Sequence, residues 1–334
     1  MHYHNVKPGD LHESFCRFHD RSIPGLQNSD SIQHVAEWND QYRDTVRKFW
    51  RGDPQGAQGL GSALLGTAGV FDQRGRRVWS SVNYAASHDG FTLADLTRYS
   101  RRHNLDNGEG GHDGHNANFS DNCGAEGETD DPTVLARRAR RQRNLLATQF
   151  LSQGTPMLLA GDEIGNSQNG NNNAYCQDNP IGWINWATAD DALTDFLAQL
   201  SAFRRAYPSL RQSVFLHGGL RPTDKLPDVE WVAPLGGALQ WRDPGLSTVG
   251  LLLRGSSEVP NDEATEDALY IVFNRDSEPM QVYLPPLLDG HRWMRVLDTS
   301  RYDGFDPAPE IAEMTDVGGE CVVAFAQRRQ DSRQ

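Results

Sequence analysis

Two stretches decide the fold: VNYAASHDGFTLADL at residues 82–96 and GTPMLLAGDEIGNSQNGNNNAYCQDN at residues 154–179. Each is a short apolar run that stops abruptly in polar and charged residues, with a helix-forming segment between the two. Successive strands of a parallel βα barrel look like this when their C-terminal ends carry a site. On this reading His88, Asp89, Asp162 and Glu163 all stand at strand ends.

Working outward, Tyr42, Val46, Phe49 and Trp50 recur at helical spacing and predict a helix ended by Gly52-Asp53-Pro54. Leu60 to Phe71 reads as helix, and Val78 to Ala86 as strand. Residues 103–131 form a Gly/Asn/Asp-rich loop of a length that is uncommon unless it serves a function. A helix follows, capped by Asp130 or Asp131, opened by Pro132 and running to about Leu151. Met157 to Ala160 reads as a short buried strand. Leu193, Phe196, Leu197, Leu200 and Phe203 mark one face of a further helix, with Pro208 beyond its end. From about Gly218 the pattern changes to short alternating runs such as TVGLLL and ALYIVFN, separated by turn residues, which predicts an antiparallel β-sandwich. The resulting division is a loosely structured segment at 1–34, a barrel-type domain at 35–210, a sandwich at 211–327 and a disordered tail at 328–334.

A net charge of −13 argues against nucleic acid as a partner, because a phosphate backbone demands cationic surface. The exception is RRARRQR, Arg137 to Arg143, which reads as the solvated face of a helix. No run of apolar residues is long enough to span a membrane. The N-terminus lacks the pattern of a secretory signal. The four cysteines, Cys16, Cys123, Cys176 and Cys321, are far apart and read as structural thiols in a reducing cytoplasm. His103, His112, Asp113 and His115 fit neither a zinc nor an EF-hand spacing, so neither metal nor cofactor is expected.

The two opening stretches, with AEWNDQYRDTVRKFWRGD (residues 36–53) ahead of them and the β-rich segment behind, resemble the late barrel strands of the α-amylase superfamily. In detail they are similar to bacterial glycogen debranching enzymes of the isoamylase type. The resemblance covers roughly residues 36–325, and SHDG with GNNNAYCQDN is specific as a combination. It implies the C-terminal part of a (β/α)8 TIM-type barrel, incomplete and about three units long, followed by an antiparallel β-sandwich. It also implies that the nucleophilic Asp and the acid/base Glu of that family lie on strands ahead of AEWND, so that this chain begins too late to contain them.

Retaining glycoside hydrolysis uses two carboxyl groups roughly 5–5.5 Å apart, with positive charge developing at the anomeric carbon. A third carboxylate can stabilise that charge. Asp89 is the candidate, with His88 beside it on the hydroxyls of the sugar being cleaved; the structural alternative is that Asp89 caps a helix over FTLADLTRY. Asp162 and Glu163 either support the site, as the family implies, or form an ion pair at the barrel mouth. Asn173, Tyr175, Asp178 and Asn179 lie in a polar loop suited to sugar hydroxyls and faces. Trp183 and Trp186 are either stacking platforms or, in the favoured reading, core residues.

The expected function is hydrolysis of α-1,6 branch linkages in glycogen or limit dextrin, in the cytoplasm. This chain would be a truncated part, inactive alone for want of two carboxylates. The alternatives are a non-catalytic glucan-binding protein and a half-enzyme that pairs with an N-terminal barrel half.

Overall fold

The computed structural model describes residues 35–222, 224–255, 268–301, 303–305, 310–311 and 313–329. The segment 1–34, and the tail beyond Arg329, lie outside the described residues. Three short strands come first in the hydrogen-bonding scheme: β1 (Glu37–Trp38), β2 (Ser81–Asn83) and β3 (Thr155–Pro156). They pair in parallel in the order β1-β2-β3, with Glu37 opposite Ser81 and Val82 opposite Thr155. Side-chain amides reinforce this small sheet. Asn39 donates to Thr67 and to Ser81, each at 2.8 Å, and Asn83 donates to the Gln153 carbonyl at 2.7 Å.

Helix α1 (Asp40–Arg51) follows β1 because Asn39 Oδ1 accepts from the Tyr42 N–H and Gly52 closes the helix at φ 91°. Its apolar stripe, Tyr42, Val46, Phe49 and Trp50, is buried as the spacing predicts. The helix expected over 60–71 divides into α2 (Leu60–Leu64) and α3 (Ala68–Phe71). Gly66 and Thr67 between them both take left-handed φ, which ends one helix before the next begins. The strand expected over 78–86 is regular only at 81–83. Beyond it the backbone is held by side chains instead: Gln149 accepts from the Ala85 N–H and Arg47 donates to the Ala85 carbonyl. The strand expected at 157–160 pairs two residues earlier, at Thr155–Pro156, with Met157 adding one bond to the Asn83 carbonyl. The long helix α4 (Pro132–Leu151) is capped by Asp131, and α5 (Asp191–Ala206) by Asp190.

The second half is antiparallel. A six-stranded sheet has the order β4-β5-β6-β11-β8-β9, comprising β4 (Val229–Val232), β5 (Thr248–Leu253), β6 (Leu269–Asn274), β8 (His291–Asp298), β9 (Glu310–Ile311) and β11 (Cys321–Arg329). Strands β7 (Met280–Tyr283) and β10 (Met314–Val317) pair separately. The period of two sends alternate residues into two cores. Leu251, Ile271 and Ala324 join the core of the helices, whereas Leu252, Tyr270 and Phe325 pack with Val282 and Val317 of the small sheet. Both faces of the central sheet are therefore covered, and β5 and β6 are buried along their full length. Arg328 and Arg329, assigned to the tail on sequence, extend β11 opposite Arg292 and His291, and Arg328 also donates to the Tyr207 hydroxyl.

The arginine run of α4 is not a solvated face. Arg138, Arg141 and Arg143 are buried. Glu320 accepts from Arg137 Nη2 and from Arg141 Nη2, each at 2.9 Å, and Arg143 donates to the Thr299 carbonyl. Arg140 reaches the Gly319 carbonyl, and Asn144 the Glu320 carbonyl. These bonds dock the first half of the chain onto the end of β11. Among the described residues no helix is long and apolar enough to cross a membrane.

Candidate functional site

Beyond β2, which ends at Asn83, residues 84–87 carry the chain on to the His88–Asp89 turn. Gly90, at φ 135°, lets the backbone turn there without a Cβ to restrict it. His88 Nε2 lies 3.3 Å from Asp89 Oδ1, and the two side chains are 66% and 43% exposed. The carboxylate is thus presented to solvent at the rim. The Trp38 ring, from the end of β1, meets the His88 ring edge-on at 5.6 Å and tilts against Tyr84 at 5.8 Å. Arg43 lies over the other partner, Tyr84, at 5.7 Å. Two neighbouring parallel strands therefore deliver an indole, an imidazole and a carboxylate to one edge. Sequence reading missed Trp38; its position one residue before the cap Asn39, at a strand end, was the available signal. Glu37 is not a free acid, since it pairs with Arg76.

The helix-cap alternative for Asp89 fails because no helix follows. Segment 91–99 holds a single 3-10 turn, Asp95–Thr97. Two buried carboxylates, Asp162 and Asp95, hold this segment and the loop beside it. Asp162 Oδ1 accepts from the Leu93 N–H at 2.8 Å, and Asp95 accepts from the Gln168 N–H at 2.9 Å and from the Ser167 hydroxyl. Burial pushes the Asp162 carboxyl up to about 7, against the Leu93 hydrogen bond that favours its charged form. Burial likewise raises Asp95. Glu163 turns back to accept from the Gly161 N–H. Neither carboxylate is in a salt bridge among the described residues; Asp162 fixes the loop behind His88 and Asp89.

The polar loop is more self-contained than its composition suggested. Asn172 donates to the His115 carbonyl and to Asn118, and exchanges bonds with Asn104. Asn171 bonds Asn107, and Asn173 donates to Asp113. Burial acts to raise Asp113, but the amides of Asn107, Asn173 and Asn104 outweigh it and hold the carboxyl below its usual range. These amides tie loop 104–118 to loop 171–173. Asn104, Asn107 and Asn118 lie in the stretch that sequence reading left as loop, and no local pattern pairs them with residues more than 50 positions away.

Asn179 Oδ1 accepts from the Ile181 N–H, and Asp178 accepts from the Trp183 indole at 2.9 Å. Tyr175, Trp183 and Trp186 are 69%, 55% and 67% exposed. The core role favoured for the two tryptophans is thus overturned. His103 pairs with Glu126 at 3.1 Å and does not join Asp113. Of the described cysteines, Cys176 is exposed, and Cys123 and Cys321 are buried with thiols pushed up by burial.

No protein-family model matches the chain. A protein of Mycobacterium tuberculosis named glycogen operon protein GlgX homolog is 38% identical over 286 residues, 83% of this chain and 39% of that protein. The glycogen debranching enzyme of Dickeya chrysanthemi is 50% identical over 222 residues, 66% of this chain and 33% of the enzyme. Pullulanase type I from Bacillus subtilis, solved with maltose, superposes with a TM-score of 0.62 at 20% identity over 92% of this chain and 37% of its own. A pullulanase from Paenibacillus barengoltzii, solved with maltohexaose and α-cyclodextrin, gives 0.58 at 22% identity, over 90% of this chain and 40% of its own. The chain thus spans between a third and two fifths of these two sequence relatives, and the structural likeness shows a shared fold. The resemblance to glycogen debranching enzymes expected from residues 36–325 is borne out.

Proposed function

Starting from a chain related by sequence to the bacterial glycogen debranching enzymes, we propose that it takes part in hydrolysing α-1,6 branch linkages of a glycogen-like glucan in the cytoplasm. The observation that carries this is the exposed His88–Asp89 pair at the C-terminal end of β2, with Trp38 against it. Chemistry at the C-terminal ends of parallel strands is the rule for βα barrels. Asp89 would hold its charge facing the anomeric carbon as the leaving oxygen departs, lowering the barrel-mouth potential where positive charge develops. His88 would take a sugar hydroxyl, and Trp38 would present its ring to the glucan.

In this proposal β1, β2 and β3 are three strands of a (β/α) barrel, with β1 and β3 the outer ones among the described residues. The nucleophile and the acid/base would belong, by the family pattern, to strands ahead of Glu37. In this reading residues 35–329 supply Asp89, His88 and the glucan contacts of that reaction. A second reading, non-catalytic glucan binding, is favoured by the exposed rings of Tyr175, Trp183 and Trp186.

Native electrophoresis in a gel containing glycogen tests binding, and reducing-sugar release from limit dextrin tests turnover. The expected result is retardation that weakens in His88→Ala and Asp89→Asn, with any sugar release lost in Asp89→Asn. Retardation that both rim variants leave unchanged sinks the role given to His88 and Asp89. Retardation lost in Tyr175→Ala, yet untouched by both rim variants, favours binding without catalysis.

A further inference from the structure

A pocket lies at the opposite end of the parallel strands from His88 and Asp89. It has a volume of about 370 Å³, within the roughly 300–1,000 Å³ range of small-molecule sites. Its position follows from the chain path. The Leu64 carbonyl accepts from the Gln153 N–H, just ahead of β3, and Gly66 packs beside Val78, just ahead of β2. Helix α2 thus sits at the N-terminal ends of strands whose C-terminal ends carry His88 and Asp89.

The wall of the pocket is two indoles from the β-domain, Trp231 on β4 and Trp241 on the loop after it, with ring centroids 5.1 Å apart and planes at 85°. Both are half-buried, and neither indole N–H bonds to another described residue. Helix α2 accommodates them through Gly61. A Cβ there would stand 2.8 Å from the Trp241 ring and 3.3 Å from Trp231, so glycine is what lets the rings seat against the helix. Leu65 and Leu216 give an apolar floor, and Gln58, Ser62 and His217 a polar rim. His217 is steadied by Asp72 at 2.9 Å and is the sole titratable group in the lining among the described residues.

Two perpendicular aromatic faces, indole donors, an amide and a hydroxyl, with no carboxylate or ammonium, suit an uncharged ligand having both C–H faces and many hydroxyls. The one titratable side chain of the lining, His217, is already engaged by Asp72. The geometry points to a second carbohydrate site, which holds a linear α-glucan segment at the junction of the two halves, remote from the Asp89 rim. This rests on the glucan reading above. It gives the chain a way to hold one part of a branched polymer while another part occupies the rim, raising the effective concentration of the second segment.

Isothermal titration of the 334-residue chain with maltohexaose separates the two sites. In the His88→Ala/Asp89→Asn variant one binding event should remain. Adding Gln58→Ala and Ser62→Ala, both exposed positions outside the core, should weaken that event roughly fivefold or more, the worth of a neutral hydrogen bond. Trp241→Leu should remove it, with near-ultraviolet circular dichroism reporting whether the fold survives. Loss of all binding in the rim variant overturns the pocket and leaves the rim reading intact. Binding unchanged by the rim variant but lost in the pocket variants supports the pocket and overturns the rim. A residual event indifferent to Gln58, Ser62 and Trp241 overturns the pocket, and no binding anywhere overturns both.

Discussion

Replacing Glu320 by Gln should loosen the junction between the two halves by a calculable amount. The carboxylate takes three bonds from Arg137, at 2.9–3.2 Å, and one from Arg141 at 2.9 Å. Arg137 is 41% exposed, so water can replace its partner at little cost; Arg141 is 6% exposed and cannot be so served. Removing one member of a buried ion pair costs about 3–5 kcal/mol. Asp121 remains 3.4 Å from Arg141, and the Gln carbonyl still accepts one bond, which brings the expected loss to about 2–3 kcal/mol. The pH dependence has a definite sign. Burial acts to raise Glu320, but the two guanidinium groups prevail and hold it below its ordinary 4.5. Its folded value lies under its unfolded one, so the contribution is present above about 4.5 and fades as pH falls below it. Denaturant unfolding followed by tryptophan fluorescence, near neutral pH and again in acid, reads both. A further variant isolates the backbone: Glu320 sits at φ 46°, so Glu320→Gly should be more stable than Glu320→Ala by about 1 kcal/mol. A Gln variant within about 0.5 kcal/mol of the parent near neutrality, the span of an ordinary surface change, refutes the reasoning. So does a deficit that stays constant into acid.

Asp162→Asn should flatten the dependence of stability on pH between about 4 and 7. The native state keeps a proton there that the unfolded chain releases, and a shift from 3.8 to about 7 corresponds to on the order of 4 kcal/mol. Melting temperature measured across that window checks it; a slope equal to the parent's counts against a buried neutral carboxyl. Asn172→Ala should cost about 2–3 kcal/mol, because several buried partners lose their bonds together, and should make loop 104–118 the first site of proteolytic nicking. Gly154→Ala should destabilise by more than about 2 kcal/mol, since a Cβ at φ 109° would stand 2.8 Å from the Ser81 carbonyl and the Asn83 amide. Thermal denaturation compares it with the parent.

The features that sequence revealed are those set by local periodicity or by contiguous motifs. The stripe of α1, the Asp131-Pro132 opening of α4 and the alternating strands of the second half all follow from neighbouring residues. The His88–Asp89 turn was legible for the same reason. What escaped depends on partners far along the chain. The arginines of α4 read as solvated because Glu320 is nearly 180 positions away. FTLADL reads as helix until the Asp162 carboxylate takes the Leu93 N–H. The asparagines of 171–173 resemble free sugar ligands until Asn104, Asn107 and Asp113 are seen to use them. Trp183 and Trp186 read as core by residue type, yet the loop carries them outward, one indole tethered to Asp178.

The central six-stranded sheet has no dry side to spare. Cutting the polypeptide between Leu210 and Gly218, to make the β-half by itself, would bare Val249, Leu251, Ile271 and Ala324 to water all at once. Such a clone should be recovered from inclusion bodies, and a protease nick at that seam should leave the two pieces travelling together until denaturant parts them. The β-half is in this sense a wall of the same room as the helices.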